Sequence, residues 1–405
     1  MPVLRNISQL ATCPADNPQA DAGLIANAAV AWKDAEVQWV GRERDLPEAW
    51  RREPVVDCAR RIVIPGLVDC HTHLCFGGWR ADEFELRIRG ASYQEIAAAG
   101  GGISSTVTAT RASSEGDLFR KARAALDGML ALGVTTVEAK SGYGLNEASE
   151  LKQLEVYRRL NAEHPVDLVP TFLGAHIVPP EHRRERQRYV QLLRDTLLPA
   201  VSGRGLAQFC DVFVEEGAFT LEEARSILTR ARECGLGLKV HADQLSDGGG
   251  ARLAGELAAV SAEHLEYAGA EGIESLARSG TVAVSLPLAS LYLNERYLPA
   301  RTFMGAGVKV AVATDFNPGS APSYHLPLAL TLACLKQSMT PQEALNGATT
   351  VAARALCRHT TIGSLLPGYR ADLAVIDALS LNHWLYHFAP NACLKVLKNG
   401  SWVSG

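Results

Sequence analysis

Three histidines and one aspartate of this sequence stand directly after apolar runs. His71 and His73 follow IVIPGLVDC, His241 follows GLKV, and Asp315 follows KVAVAT. Side chains two positions apart on a strand point to the same face, so His71 and His73 present two imidazoles side by side. Imidazole nitrogen and carboxylate oxygen are ligands of Zn²⁺ and Fe²⁺. The four side chains together predict a site for one divalent metal, with an open position for water.

Each of these residues alone also has an ordinary structural interpretation. A bare H-x-H pair is often solvated on a loop, and a single histidine at a strand end, such as His241, is more often structural than catalytic. A carboxylate at the end of an apolar strand, by contrast, is costly unless it is paired, exposed or metal-bound. The metal prediction therefore depends on the four residues occurring together. A metal there would lower the pKa of a nearby water, and Asp315 could accept the proton.

These residues can meet only if the strands that carry them lie side by side. Eight short apolar runs occupy the middle of the chain, at 62–71, 133–142, 166–176, 209–215, 237–243, 259–265, 280–287 and 309–317. Amphipathic helices are predicted between several runs, and two of them begin with capping boxes, Thr220 with Glu223 and Thr340 with Glu343. This alternation predicts an α/β fold, a (β/α)8 TIM-like barrel, which gathers catalytic side chains at the carboxyl ends of its strands.

Both ends of the chain read as short strands separated by turns. GLIANAAVAW and EVQWVG lie near the start, and CLKVLKNGSWVSG at the end contains an Asn-Gly turn. We expect both ends to join in one small β-rich domain, with 1–63 as its N-terminal part and 361–405 as its C-terminal part. The barrel with the metal site is expected over 64–360.

The composition is typical of a soluble globular protein. The chain has 405 residues, a net charge of −4 and 47% hydrophobic residues, which does not favour nucleic acid or an anionic membrane as a partner. Its longest apolar stretches, such as 326–335, are about half as long as a bilayer span. The N-terminus has no signal-peptide pattern, and nine scattered cysteines without a C-x-x-C pair favour reduced thiols. We expect a cytoplasmic protein with no membrane association.

Several segments resemble known proteins. GLVDCHTH, KVHAD, AEHLE and ATDFNPGS, in this order, resemble the metal-dependent amidohydrolase superfamily. More narrowly, HTHLCFGGWRADEF, AAGGGISSTVTATR, EAKSGYGL, FLGAH, VHADQLS and ATDFNPG are similar to the imidazolonepropionase family, and the likeness covers essentially the whole chain. The resemblance implies an enzyme of histidine degradation that hydrolyses the ring C–N bond of 4-imidazolone-5-propanoate, a small molecule, to N-formimidoyl-L-glutamate. It also allows a homodimer.

The same resemblance implies a role for each residue of the site. One ion of zinc or iron (Fe²⁺ or Fe³⁺) would be bound by His71, His73, His241 and Asp315. Asp315 and His264 would be catalytic, with His264 close to the reactive water. The positions that match the family's substrate contacts are Arg80, Tyr143, His176, Gln244, Asn317, Gly319 and Ser320.

Some of these positions keep a structural alternative. Arg80 either offers its fork of donors to the propanoate carboxylate or is a surface arginine paired with Asp82 or Glu83. Tyr143 either offers its hydroxyl or packs its ring against a barrel helix. His176 either reaches the substrate or caps the loop that follows it.

Two residues depart from patterns found among related enzymes. Some family members carry Glu at the position of Gln244, but an amide takes no proton near neutral pH, so Gln244 is left to orient the ring by hydrogen bonds. Proton transfer then falls to Asp315, assisted by His264. Some amidohydrolases bridge two metals with a carboxylated lysine, whereas the resemblance here implies one metal and leaves Lys140 outside the site.

Two other functions stay open at this point. Deamination of a purine, pyrimidine or related ring would use the same metal ligands, but substrates without an acidic tail have no use for Arg80 and Tyr143. A non-catalytic small-molecule binder would keep the barrel without turnover. The complete set of four ligands argues against it, and a metal analysis that finds none bound would favour it.

Overall fold

The structure is a computed structural model that describes residues 2–91, 95 and 101–404. Its strands are β1 (Val3–Ala11), β2 (Leu24–Lys33), β3 (Glu36–Arg42), β4 (Val55–Asp57), β5 (Ile62–Pro65), β6 (Leu67–Asp69), β7 (Val134–Lys140), β8 (Asp167–Ala175), β9 (Phe209–Val214), β10 (Gly237–Ala242), β11 (Ser261–His264), β12 (Val282–Ser285), β13 (Val310–Val312), β14 (Leu373–Ile376), β15 (Cys393–Lys398) and β16 (Ser401–Ser404).

The α-helices of the described residues cover Glu48–Arg51, Ala81–Ile88, Ile103–Ala112, Glu115–Ala131, Glu147–Glu163, Arg186–Gln191, Leu198–Gly203, Leu221–Glu233, Gly250–Glu256, Ala270–Ser279, Pro287–Leu293, Ala300–Gly305, Leu326–Gln337, Pro341–Gly347, Thr350–Arg354 and Leu381–Tyr386. Both predicted capping boxes are present, at Thr220 with Glu223 and at Thr340 with Glu343. Within the part of the chain that the structure describes, no helix is both long and apolar enough to cross a membrane.

Strands β6 to β13 form one eight-stranded sheet in chain order. Neighbouring strands are parallel, and helices such as Glu115–Ala131 and Glu147–Glu163 connect them. Each of the eight predicted apolar runs contains one of these strands, so the predicted barrel is confirmed. Leu, Val and Ala side chains of the strands pack against the apolar faces of the helices in one large core.

The barrel closes between its first and last strands. A parallel bridge joins Thr72 to Phe316, just beyond β6 and β13. The backbone N–H of Asp315 donates to the carbonyl oxygen of His71 at 3.0 Å, and that of His73 donates to Phe316 at 2.9 Å. The seam therefore runs through the two segments that carry three of the four predicted metal ligands.

The chain ends form a second sheet, as the sequence predicts. Its strand order is β16-β15-β14-β5-β1-β2-β3, and β4 pairs with β1. A separate core that includes Leu4, Trp32 and Leu397 lies under it. Only Gly66 separates β5 in this sheet from β6 in the barrel, and a Cβ at Gly66 would lie 2.3 Å from the Thr135 hydroxyl. The domain boundaries at 63/64 and 360/361 stay a prediction.

Candidate metal centre

The four predicted metal ligands converge at the carboxyl end of the barrel. Nε2 of His71 and Nε2 of His73 each lie 3.4 Å from Oδ1 of Asp315. Nε2 of His241 lies 3.4 Å from Nε2 of His73. All four side chains are buried. Residues separated by up to 244 positions in the chain therefore share one centre, which is what the barrel topology predicts for strand-end residues.

These donors fit a divalent metal by spacing and by chemistry. Ligands of a tetrahedral zinc ion, at bond lengths of about 2.1 Å, stand about 3.4 Å apart. His71, His73 and Asp315 form a set whose ligand atoms all lie within 4.8 Å of one another, and His71, His241 and His264 form another. Both ring nitrogens of His71 are buried and make no hydrogen bond within the described residues. A buried polar atom without a partner is costly, and a metal ion would satisfy it.

The protonation states also suit a metal. Burial lowers the pKa of His71 well below its usual value, and Lys140 and His241 lower it further. Burial lowers the pKa of His241 to about 4, although Asp211 opposes this shift. Burial raises the pKa of Asp315, but the close approach of the His71 and His73 rings outweighs it and holds that pKa well below its usual range. Neutral imidazoles and an ionised carboxylate are the forms that bind metal.

His264 lies beside the ligand set, at the end of β11. Its ring centroid is 5.4 Å from that of His241 and 5.9 Å from that of His71. Burial disfavours its charged form, but Glu266, whose Oε1 lies 3.8 Å from Nδ1, and Asp315 outweigh burial and raise the pKa of His264. Its φ of 72° is in the left-handed region, which bulky residues seldom adopt. A ring nitrogen of His264 lies within 4.8 Å of a ring nitrogen of His71 and of His241.

Tyr143 and His176 lie beside the same centre as part of a ring cluster. The His176 ring stacks on His73, with centroids 5.2 Å apart and planes 21° from parallel. Its Nδ1 donates to the Gly142 carbonyl at 3.0 Å, so Nε2 is left as the acceptor. The Tyr143 ring lies 5.9 Å from His73 and 5.4 Å from His176. Both rings therefore contact a predicted ligand, and their contact with substrate stays a prediction.

Arg80 makes one of the ion pairs that its structural alternative names, and its contact with the propanoate stays a prediction. It pairs with Glu83, since its Nε and Nη2 both lie 2.8 Å from Glu83 Oε2. Its side chain is nevertheless only 10% exposed. It lies so close to Gly319 that a Cβ there would be 2.0 Å from Nη1. The guanidinium is thus held at the turn that follows Asp315 and not on the open surface.

The turn after Asp315 is built by the side chain of Asn317. Its Oδ1 accepts from the backbone N–H groups of Gly319 at 2.7 Å and Ser320 at 2.8 Å. Its Nδ2 donates to the Asp315 carbonyl at 2.7 Å and to the Ser320 hydroxyl at 2.8 Å. The Ser320 hydroxyl lies 3.3 Å from Asp315 Oδ2. Asn317 therefore shapes the turn, and the contact of these residues with substrate stays a prediction.

Gln244 is the predicted site residue that the structure ties least to the others. It is half-buried in the bend after β10. Among the described residues, no hydrogen bond or ring contact joins its side chain to the other predicted site residues. A role in orienting a substrate ring stays a prediction for Gln244.

Sequence reasoning missed a buried charged network behind His241. Asp211 lies in the middle of β9, with its Oδ2 2.8 Å from His241 Nδ1. Lys140 lies 2.7 Å from the same carboxylate and 3.0 Å from Glu138. Burial lowers the pKa of Lys140, but Asp211 and Glu138 outweigh it and raise that pKa above its usual value. A charged ammonium cannot be carboxylated, so the geometry agrees with leaving Lys140 outside the ligand set. A lone aspartate inside the apolar run FCDVFV was the available signal.

Comparison with known proteins defines the class first. The family model described as Amidohydrolase family matches residues 62–403, so the chain belongs to the amidohydrolase family. Solved structures agree on the fold. A zinc-complexed atrazine chlorohydrolase from Arthrobacter aurescens has a TM-score of 0.70 at 17% identity and covers 100% of this chain and 95% of its own. For 5-methylcytosine deaminase from Klebsiella pneumoniae the TM-score is 0.75 at 18% identity, with coverages of 99% and 97%.

Curated relatives narrow the class to one group. The imidazolonepropionase of Symbiobacterium thermophilum is 49% identical over 388 residues, which is 95% of this chain and 91% of the relative. That of Alkaliphilus metalliredigens is 43% identical over 411 residues, with coverages of 99% and 97%. Within the amidohydrolases, the chain groups with the imidazolonepropionases. The predicted family is confirmed.

Proposed function

We propose that this chain hydrolyses the ring C–N bond of 4-imidazolone-5-propanoate to give N-formimidoyl-L-glutamate. The observation that carries the proposal is the convergence of His71, His73, His241 and Asp315 on one buried centre. The relatives named imidazolonepropionase support the choice of substrate. We assign one divalent metal, zinc or iron, to these four residues, since imidazole and carboxylate suit both ions. When bound there, the metal supplies Lewis acidity that makes water reactive near neutral pH.

Asp315 and His264 divide the proton transfer in this mechanism. Asp315, ionised because its pKa is held low, accepts a proton as a water oxygen adds to the ring carbonyl carbon. His264, whose raised pKa favours its charged form, donates a hydrogen bond to the carbonyl oxygen as that oxygen becomes negative. Asp315 then returns the proton to the ring nitrogen while the C–N bond breaks. The carbonyl carbon keeps the added oxygen as a carboxylic acid, which releases the second proton of the water to solvent and leaves as a carboxylate.

The remaining predicted residues hold the substrate. Nη1 is the nitrogen of the Arg80 guanidinium that lies beside Gly319. We assign the propanoate carboxylate to this nitrogen. The Tyr143 hydroxyl and the neutral His176 ring are assigned to hydrogen bonds with the substrate. Asn317, Gly319, Ser320 and Gln244 are assigned to the edges of the imidazolone ring. Fixing tail and ring together places the carbonyl carbon beside Asp315.

A coupled assay tests the proposal. Urocanase generates imidazolone propanoate in the cuvette, and the purified, metal-supplemented protein is expected to remove its ultraviolet absorbance while N-formimidoyl-L-glutamate accumulates. A metal-supplemented protein that leaves the absorbance unchanged would refute the assigned activity. Metal analysis of the same sample distinguishes zinc from iron. A cytoplasmic location and a homodimer stay predictions.

A further inference from the structure

Five ionisable side chains lie inside the barrel behind the candidate metal centre, and all are completely buried. They are Glu138, Lys140, Asp211, Lys239 and Glu263. Lys140 Nζ contacts Asp211 and Glu138, and Lys239 Nζ lies 3.2 Å from Glu138 and 3.6 Å from Glu263. Three carboxylates therefore share two ammonium groups. Burying five ionisable groups is expensive, and packing alone does not require it, because apolar side chains of similar volume often serve as well.

One end of this network touches a predicted metal ligand. Asp211 Oδ2 lies 2.8 Å from His241 Nδ1, and Asp211 Oδ1 accepts from the His241 backbone N–H at 3.2 Å. The distance between His241 Nδ1 and Asp211 Oδ2 is short, but the contact does not have the angle of a regular hydrogen bond. The other ring nitrogen, Nε2, faces His73 at 3.4 Å. One carboxylate thus holds both the backbone and the ring of His241 from the side opposite the centre.

We propose that Asp211, balanced in charge by Lys140, is a positioning residue that keeps Nδ1 of His241 protonated and aims Nε2 at the metal. The inference rests on the proposed function in one respect, since it requires that His241 binds a metal. A carboxylate at the outer nitrogen of a ligand histidine fixes the tautomer and the ring orientation and makes the ligand nitrogen more basic. Losing such a partner commonly costs 10- to 100-fold in metal affinity.

Lys140 has a distinct part in this arrangement. Its ammonium lies 2.7 Å from the same oxygen, Asp211 Oδ2, that approaches His241 Nδ1. It therefore keeps the carboxylate charged and in place. Lys239 is an equally buried lysine of the same network, but its ion pairs are with Glu138 and Glu263 and not with Asp211. Replacing Lys239 is therefore a matched control for replacing Lys140. It removes one ammonium group from the same network but leaves the ion pair of Asp211 in place.

The first experiment measures zinc affinity of metal-free protein by competition with a chromophoric chelator, after circular dichroism has shown that each variant is folded. Asp211→Asn is expected to weaken zinc binding about 10- to 100-fold. Lys140→Met is expected to weaken it in the same direction and by less, and Lys239→Met to leave it within about threefold of wild type. Unchanged affinity in Asp211→Asn, or equal losses in both lysine variants, would overturn the proposal. If wild-type protein binds neither zinc nor Fe²⁺, the metal centre itself is refuted instead.

A second measurement needs no change in the network. Nuclear magnetic resonance of zinc-loaded wild-type protein labelled with ¹⁵N-histidine reports the state of each ring nitrogen. The signals of His241 are assigned as those that are missing from the spectrum of His241→Gln. The proposal predicts a protonated Nδ1 and a zinc-bound Nε2 for this ring. A spectrum with Nδ1 bound to zinc and Nε2 protonated would overturn it, even if the network variants do not fold.

Discussion

Asp315 is both a predicted metal ligand and part of the seam that closes the barrel. Its Oδ1 lies 3.4 Å from both His71 and His73, its φ of 56° is in the left-handed region, and its backbone N–H closes the barrel seam. We predict that Asp315→Asn lowers kcat by about 10²- to 10⁴-fold, because the amide cannot accept the proton. The fold is expected to survive, since Asn tolerates a positive φ well. Initial rates and circular dichroism test this, and a near-wild-type kcat would remove Asp315 as the base.

Gly319 provides the space for the Arg80 guanidinium. A Cβ there would lie 2.0 Å from Arg80 Nη1, which is the mobile end of a long side chain. Gly319→Ala is therefore expected to displace the guanidinium and leave the fold intact. If Arg80 binds the propanoate, KM rises about 10- to 100-fold with little change in kcat. Gly203→Ala, at a helical glycine where no atom of the described residues lies within 4 Å of the added Cβ, is the control. An unchanged KM in Gly319→Ala would move the carboxylate site elsewhere.

The depressed pKa of His241 predicts how the stability of metal-free protein varies with pH. Burial lowers this pKa from 6.5 to about 4. Between those values the unfolded chain binds a proton that the folded chain does not, so the free energy of unfolding decreases as the pH falls from 6.5 to 4. The contribution is on the order of 3 kcal/mol. Urea unfolding of chelator-treated wild type is expected to show a steeper loss than His241→Gln. Equal slopes for the two proteins would contradict the assignment.

At the scale of elements, the helix Glu147–Glu163 organises two loops of the site. Glu150 accepts from the backbone N–H groups of Gly144 at 2.9 Å and Leu145 at 2.8 Å, in the loop that carries Tyr143. Gln153 donates to the Cys75 carbonyl at 2.6 Å, just after His73. A spacing of three residues places both side chains on one face of the helix. The first two barrel loops are therefore fixed by one helix.

Tyr157 completes this helix face, and its hydroxyl tests the idea. The hydroxyl donates to the Lys140 carbonyl at 2.8 Å and accepts from the Cys75 N–H at 2.9 Å, and the side chain is fully buried. Tyr157→Phe leaves both backbone groups without this partner, so we predict a loss of about 1–3 kcal/mol in the free energy of unfolding. Tyr386→Phe, at a side chain that is 83% exposed, is expected to change it by less than about 0.5 kcal/mol. Equal effects of the two substitutions in urea unfolding would contradict this.

Elements of the barrel were predictable because each leaves a local pattern. Eight apolar runs mark the eight strands, and Thr220 with Glu223 and Thr340 with Glu343 mark two helix starts. The split of run 62–71 between two sheets was not predictable, because Gly66 is the only interruption and the strand partners lie far away in the chain. Asp211 was missed for a similar reason. Its importance comes from Lys140 and His241, which only the folded barrel brings to it.

At the scale of the whole molecule, the fold and the function are concluded from different evidence. The barrel with its second sheet resembles an atrazine chlorohydrolase and a 5-methylcytosine deaminase at 17% and 18% identity, so the fold alone leaves hydrolysis and deamination both open. The relatives at 43% and 49% identity decide the family. The convergence of the site could be anticipated from the rule that barrel strands end together. The pairing of Arg80 with Glu83 was one of the two alternatives that the sequence offered. The position of the guanidinium at Gly319 depends on packing that no spacing rule supplies.

The central claim is that His71, His73, His241 and Asp315 hold one divalent metal. Anomalous diffraction from crystals of metal-loaded protein, collected on both sides of the zinc and iron absorption edges, tests it most directly. The account predicts one strong anomalous peak per chain, within bonding distance of all four side chains. A peak bound elsewhere, or none in crystals grown with excess metal, would contradict it.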